Sequence, residues 1–199
     1  VLQEALSALT RIYSQLNVAS KISNSHSAVK LKLNKKSPPN ITFKNVNFSY
    51  TNKIKALDNI NFFIEAGTKV ALVGQSGAGK SSIVNLISRF YDPLSGEIFI
   101  NQQSLKNINL NSLRDNVALV SQDTVIYNKT FLENIRFGNL DANDDDIIKA
   151  AKNAGIHEFI KTTPDSYNTL LGEGGKNLSG GQRQRISIAR AILKDAPIL

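Results

Sequence analysis

The glycine-rich run Gly-Gln-Ser-Gly-Ala-Gly-Lys-Ser at residues 74–81 constrains the fold of this 199-residue chain more than any other feature. It follows residues 69–73, of which the last four are apolar and which have the composition of a β-strand. It precedes residues 80–90, whose apolar side chains recur at helical spacing. Glycine allows the sharp backbone turn between two such elements. The sequence therefore predicts a strand, a tight loop and a helix, as in parallel α/β sheets.

The same run predicts a phosphate-binding loop. Successive backbone N–H groups can converge on phosphate oxygens, and the helix N-terminus adds partial positive charge. Lys80 is expected to reach the β- and γ-phosphates, Ser81 to hold Mg²⁺, and Ser82 to support the α-phosphate side. The residues assigned to this site are Gly74, Gln75, Ser76, Gly77, Ala78, Gly79, Lys80, Ser81 and Ser82.

A second glycine-containing motif lies far along the chain, at Leu178, Ser179, Gly180, Gly181 and Gln182. Its serine can cap a helix N-terminus, and its two glycines keep side chains away from a bound γ-phosphate. A capped, glycine-lined helix end is an anion site. The arginines that follow, Arg183, Arg185 and Arg190, are interpreted as structural or interface charges.

Together the two motifs resemble those of the nucleotide-binding domain of an ATP-binding-cassette (ABC) protein. The resemblance covers residues 41–199 and implies an α/β fold with three parts. These are a P-loop NTPase core, an antiparallel β subdomain and a helical signature subdomain, here incomplete at the C-terminus. ATP and Mg²⁺ are the implied cofactors. In this family residues 178–182 contact the ATP of a partner domain, so a second nucleotide-binding domain is an expected partner.

The resemblance assigns two further residues. Tyr50 matches the aromatic loop that stacks on adenine, and Gln122 matches the glutamine that touches Mg²⁺ or the attacking water. Lys80 and Gln122 are thus the expected catalytic residues, and Ser81 and Gln122 the expected metal ligands. Residues 123–137 are expected to face the coupling helices of a membrane domain.

The loop at residues 169–175 resembles one that is specific to exporters. Glu173 matches the family pattern, whereas Leu170 stands at its acidic position and Gly174 at its arginine position. The loop therefore favours an exporter over an importer, with altered side chains for communication between domains.

Three segments are predicted along the chain. Residues 1–19 carry a helical stripe and are expected to be the cytosolic end of a transmembrane helix, with Leu2, Leu6, Leu9, Tyr13 and Leu16 on one face. An ordinary surface helix is the alternative. Residues 20–40 have the composition of an extended linker, and 41–199 form the nucleotide-binding domain.

Within that domain, strands are predicted at 41–50, 60–73 and 97–100, with a hairpin turn at 66–67. Gln122 is expected at the end of a further, buried strand, 117–122. Asn143 and the three aspartates after it predict the first turn of a helix, because acidic residues complement the helix dipole. His26 and His157 are expected to be solvent-exposed.

Composition limits the function classes. The chain has no cysteine, so disulfides and thiolate metal sites are excluded, and no apolar run reaches the ~18 residues that span a bilayer. The net charge of +8 is partly concentrated in the linker, at Lys21, Lys30, Lys32, Lys35 and Lys36, as expected beside a membrane helix. Basic residues are not interleaved with aromatic ones, so a nucleic-acid partner is not expected.

The chain begins at Val1 and contains no methionine, and it ends where the family continues into a strand ending in Asp-Glu. We therefore expect a piece of a longer protein, without its own catalytic carboxylate and with negligible ATPase activity by itself. The main hypothesis is the ATPase part of an exporter at the cytoplasmic face of a membrane, the inner or plasma membrane in a bacterium. A truncated gene product that binds nucleotide at most, and a soluble ABC ATPase acting on nucleic acid or ribosomes, are the alternatives.

Overall fold

A computed structural model describes residues 2–18, 20, 22–25, 27–31, 33, 38–51 and 55–199. The buried apolar side chains of these residues form two clusters. One lies beneath a β-sheet and the helix that follows the glycine loop, and the other lies among the helices of the C-terminal half. His26, together with Lys21, Lys32, Lys35 and Lys36, lies outside the described residues.

An antiparallel sheet forms the N-terminal half of the domain. Its strands are β1 (Ile41–Phe48), β2 (Leu57–Ile64), β3 (Ser95–Ile100) and β4 (Gln103–Ser104), in the spatial order β2-β1-β3-β4. The strand β1 is central, because Ile41 lies opposite Ile64 on one side and Ile100 on the other. This sheet is the antiparallel β subdomain expected from the sequence, and β3 confirms the strand predicted at 97–100.

Helix α2 (Lys80–Ile87) follows the glycine loop as predicted, but the segment before the loop is not a strand. Val70 is 53% exposed and Val73 is 90% exposed. An interior parallel strand requires neighbours for its N–H and C=O groups, and no described strand pairs with residues 69–73. The prediction of a hairpin at 66–67 is also wrong. A turn forms there, but no described strand follows it to pair with β2; the partner of β2 is β1.

The predicted strand at 117–122 is reduced to a single bridge. Val117 pairs in parallel with Ile198, and the Ala118 amide donates to the Ile198 carbonyl at 2.8 Å. Leu119 is 41% exposed and Gln122 is exposed. The expectation of a buried strand is therefore wrong in this structure, because the described residues provide no ladder beyond that bridge.

Helices form the C-terminal half of the domain. They are α3 (Leu110–Asp115), α4 (Phe131–Arg136), α5 (Asp144–Asn153), α6 (His157–Lys161) and α7 (Gly180–Lys194). The helix α5 begins as predicted, because the Asn143 side chain accepts from the Asp146 amide and the three aspartates occupy its first turn. Side chains of α4, α5 and α7 build the second apolar cluster around Ile135, Ile147 and Ile186.

One buried amide side chain joins these helices. Asn134 of α4 is fully buried, and its Nδ2 donates to the carbonyls of Tyr127, Lys129 and Thr130. Its Oδ1 accepts from the Tyr127 amide at 3.0 Å and from Arg190 of α7 at 2.8 Å. Asn134 thereby fixes the segment before α4 and attaches it to α7.

Helix α1 (Leu2–Leu16) confirms the helical prediction for the N-terminal segment. Its apolar side chains Leu6, Leu9, Tyr13 and Leu16 are each 58–76% exposed. Of the helices in the described ranges, none combines the length and apolar character needed to cross a membrane.

Replacing Asn134 by alanine is expected to lower the free energy of unfolding by at least about 2 kcal/mol, because buried partners lose their hydrogen bonds. Asn153→Ala, at an exposed position of α5, is the matched control and should change stability little. Chemical denaturation of the 199-residue chain measures both. Equal stabilities of the two variants would contradict the role of Asn134.

The hydrogen bonds of Glu133 make the stability of the fold depend on pH. Hydrogen bonds from the Thr130 backbone amide, Lys129 and the Thr130 hydroxyl lower the pKa of Glu133 from 4.5 to about 2. A lowered folded-state pKa stabilises the fold above pH 4.5, and the contribution is lost as pH falls towards 2. The difference in stability between the wild-type chain and Glu133→Gln should therefore shrink from pH 5 to pH 2 by about the whole of its neutral-pH value. Thermal unfolding across this range tests it, and a constant difference would contradict it.

Candidate nucleotide-binding site

The glycine loop contacts the start of strand β2. Gly79 is buried and has φ +83°, and a Cβ at this position would lie 2.5 Å from the Ala56 carbonyl oxygen. Only glycine fits both the left-handed backbone and this close approach. The start of β2 is thus held directly against the loop, and Ala56, just before that strand, lies beside it.

Helix α2 begins at this loop without a side-chain cap. Its N-cap is Gly79, which has no side chain to accept from the first amides of the helix. Those N–H groups therefore remain available to a ligand, and the helix dipole favours an anion. Lys80 at the first position donates from Nζ to the carbonyls of Gly74 at 2.9 Å and Gln75 at 2.7 Å. The ammonium group thus lies folded over the loop that it is expected to share with phosphate.

An open cavity of about 490 Å³ lies over the loop. The predicted site residues that line it are Tyr50, Ser76, Gly77, Gly79, Lys80, Ser81 and Ser82. Thr51, Lys55 and Ala56 complete the lining from the segment between β1 and β2. The structure therefore brings the Tyr50 ring and the glycine loop, which the sequence separates by more than twenty residues, to one cavity.

Three side chains hold the aromatic ring, and the sequence analysis assigned none of them to the site. Asn85 of α2 donates from Nδ2 to the Tyr50 hydroxyl at 3.1 Å. The ring of Tyr91 meets the Tyr50 ring edge-on, with centroids 5.0 Å apart, and Phe48 contacts it from β1 at 4.8 Å. Tyr50 stays 48% exposed, so one surface of its ring remains free. The only sequence signal for Asn85 is its position on the helix that carries Lys80.

Metal ligands are sparse near the cavity. Within the described parts of the chain, no cluster of three or more His, Cys, Asp or Glu side chains could hold a metal ion. The Ser81 hydroxyl lines the cavity, whereas Gln122 does not. A hard cation such as Mg²⁺ commonly keeps few protein ligands and takes oxygens from phosphates. The Ser81 hydroxyl suits that chemistry.

The motif at 178–182 forms the N-terminus of α7 and does not line this cavity. Ser179 caps the helix as predicted: its Oγ accepts from the Gln182 amide at 3.2 Å, and Gln182 Oε1 accepts from the Ser179 amide at 2.7 Å. Leu178 is buried beneath the helix start, and Arg183 donates to its carbonyl. Capping boxes of this kind fix where a helix begins.

The glycines of that motif are not required by internal packing. A Cβ added to Gly181 would meet no atom within 4 Å, and one added to Gly180 would lie 3.9 Å from a terminal nitrogen of Arg183. Neither residue has a positive φ. Because the fold itself would accept side chains here, the open space at this helix end is available to a ligand or partner.

Arg190 was predicted to be a structural charge, and the structure agrees with this. Its guanidinium donates to the Val125 carbonyl and to Asn134. Burial lowers the pKa of Arg190. Arg183 also bonds within the chain, whereas Arg185 is exposed. The prediction of an exposed His157 is wrong, because its side chain is 16% exposed and its Nδ1 lies 2.8 Å from the Tyr167 hydroxyl.

The loop at 169–175 lies beside α4. Leu170 forms an antiparallel bridge with Thr130 and is 64% exposed, and Glu173 is exposed in a 3-10 turn. Gly175 has φ +61°, and a Cβ there would come within 2.9 Å of Ile126. The loop is thus attached to the segment that follows Gln122.

Comparison with known proteins gives consistent matches. The chain is 44% identical over 98% of its length to ABC transporter B family member 6 of Dictyostelium discoideum, covering 31% of that protein. It is 43% identical over its whole length to the ATP-dependent lipid A-core flippase of Acinetobacter baylyi, covering 34% of it. The chain thus spans about a third of these relatives.

The fold also matches a solved structure, that of a bacterial Atm1-family ABC exporter with ATP bound. The two structures superpose with a TM-score of 0.91 at 37% sequence identity. The match covers 98% of this chain and 33% of that one. The family profile described as ABC transporter matches residues 57–199. This chain therefore belongs to the ABC transporter family and has the fold of its nucleotide-binding domain.

Proposed function

We propose that this chain is the ATP-binding part of an ABC exporter, which hydrolyses ATP in a head-to-tail dimer to move a substrate across a membrane. The observation that carries the proposal is the cavity that joins the Tyr50 ring to the glycine loop at the N-terminus of α2. The aromatic face suits a purine base, and the loop suits a chain of phosphates. The names of the relatives, transporters and flippases, favour an exporter over a soluble ATPase.

Two residues that line the cavity, Lys80 and Ser81, have specific roles in that proposal. The uncapped amides of α2 bind phosphate oxygens, and Lys80 exchanges the carbonyls of Gly74 and Gln75 for the β- and γ-phosphates. The exchange keeps the ammonium hydrogen-bonded throughout. Ser81 and Gln122 would hold Mg²⁺, which when bound would supply charge neutralisation for phosphoryl transfer.

The second nucleotide-binding domain is the proposed partner of residues 178–182. A capped helix N-terminus with open space above Gly180 and Gly181 is suited to a γ-phosphate bound on the partner. The chain's own packing does not require glycine at either position. A phosphate bound on the partner would require it, because the phosphate must come close to the backbone of residues 180 and 181.

A membrane domain is the other proposed partner. An apolar groove of about 320 Å³ lies between the end of α2 and α7, and Phe90, Leu119 and Phe137 are among its lining residues. All three side chains are more than 40% exposed. The ring of Phe137 also packs on Tyr127 at 4.4 Å. The groove overlaps the end of residues 123–137, so we assign it to a coupling helix at the cytoplasmic face of the membrane.

Lys80→Ala is expected to weaken binding of the fluorescent analogue mant-ATP by about ten- to a hundredfold, because a charge-assisted hydrogen bond to phosphate contributes ~1.5–3 kcal/mol. Lys69→Ala, just before the glycine loop, is the matched control and should bind as the wild type does. Fluorescence titration of the 199-residue chain measures the affinity of the wild type and of both variants. Undiminished binding by Lys80→Ala would refute the assignment of the loop.

Gly181→Ala separates stability from function. Alanine in a helix is more stable than glycine by ~1 kcal/mol, and no atom obstructs the added methyl group, so thermal stability should be unchanged or slightly raised. ATP turnover by the whole transporter should nevertheless fall at least tenfold, because the methyl group enters the space proposed for the partner's γ-phosphate. Lys176→Ala, exposed in the preceding loop, is the control. Full turnover by Gly181→Ala would exclude the proposed contact.

A further inference from the structure

The segment before the domain, predicted to be a linker, is attached to the domain surface. We call residues 23–25 and 27–31 the strap. The Val29 amide donates to the Asn107 carbonyl at 2.8 Å, and the Val29 carbonyl accepts from the Asn109 amide at 2.8 Å. Leu31 is 4% exposed and belongs to the apolar cluster beneath the sheet. The strap is therefore held by backbone pairing and by a buried anchor.

Side chains fasten the strap to helix α3. Asn24 Oδ1 accepts from the Leu110 amide, the first of that helix, at 2.7 Å. The Ser112 hydroxyl accepts from the Leu31 amide at 2.9 Å and donates to the Leu31 carbonyl at 3.3 Å. Helix α3 leads directly to residues 117–122, so the strap contacts the element that precedes Gln122.

Arg89 fastens the strap to the nucleotide-binding helix. It lies two residues after α2, and its side chain is 3% exposed. Its guanidinium donates to the Ser23 carbonyl at 3.3 Å, to the Ile108 carbonyl at 3.2 Å and to Asp92 at 2.9 Å. It has φ +48°, a conformation rarely adopted outside glycine and asparagine. A strained backbone and a buried charge at one residue indicate a position held by these contacts.

We propose that Arg89 is a positioning residue for the nucleotide site, through which docking of the strap fixes helix α2. The proposal rests on the nucleotide binding proposed above. The N-terminus of α2 faces the phosphates, Asn85 in the same helix holds the Tyr50 ring, and Arg89 at its other end holds the strap. One rigid helix thus joins all three.

Two consequences follow from this arrangement. A docked strap pre-orders α2 and so strengthens nucleotide binding. By thermodynamic reciprocity, bound nucleotide strengthens docking of the strap by the same factor. Because the strap continues from α1, the position of that helix is connected to the nucleotide site through the chain itself.

The test uses the complete 199-residue chain, with mant-ATP and Mg²⁺ as the ligand. Hydrogen exchange at the Val29 and Leu31 amides should slow by at least about fivefold when mant-ATP binds, the lower range of typical coupling. The Leu171 amide, bonded to the Lys129 carbonyl in the helical half, is the internal control and should slow much less. Equal slowing at all three amides would show general stabilisation and would overturn the proposal.

Two variants test the reverse direction. Val29→Pro removes the amide donor of the strap without altering the domain, and Arg89→Asn removes the guanidinium while suiting the positive φ. Each should weaken mant-ATP binding at least about fivefold, whereas Ser25→Ala should not. The Ser25 hydroxyl lies 3.2 Å from the Ser27 hydroxyl and makes none of the contacts to α3 or Arg89 described above.

The outcomes are separable. If Arg89→Asn does not fold by circular dichroism, Val29→Pro decides alone. Wild-type affinity in the folded variants would overturn the role of the strap while leaving nucleotide binding intact. Failure of the wild-type chain itself to bind mant-ATP would overturn the proposed function and the positioning role together.

Discussion

The close approach of Gly79 to the Ala56 carbonyl oxygen is the constraint on which the candidate site depends. A side chain at residue 79 would overlap the start of β2, so the sheet and the glycine loop are in contact only because that side chain is absent. The contact places Tyr50 and Lys55, which lie between β1 and β2 in the chain, beside the N-terminus of α2. The Tyr50 ring and the glycine loop thus share a cavity because of one backbone contact.

A second contact organises the helical half. Asn134 and Arg190 satisfy one another and several backbone carbonyls in the interior, so α4 and α7 cannot separate without exposing buried polar groups. Arg190 also donates to the Val125 carbonyl, and its guanidinium lies 5.7 Å from the Tyr127 ring. Helix α7, which begins at the motif 178–182, is thereby attached to the segment after Gln122.

The features predictable from sequence are those with local causes. Helix α2, the Asn143 cap of α5 and the Ser179 cap of α7 follow from residue type and spacing within a few positions, and the structure contains all three. Asn85 and the Asn134–Arg190 pair could not be predicted, because their partners come from distant segments. The strap has the polar composition of a linker, and this composition hides its buried anchor, Leu31. The strands at 69–73 and 117–122 were predicted from apolar composition, which does not report whether pairing partners are present.

The unpaired segment at residues 69–73 also affects how the chain behaves in solution. Its valines and leucine are exposed, and none of its backbone groups belongs to a ladder of the described residues. Exposed apolar side chains of this kind favour association between copies of the chain. The net charge of +8 opposes this by repulsion between molecules. Added salt screens that repulsion and leaves the apolar segment unchanged, so the solubility of the isolated chain falls as ionic strength rises.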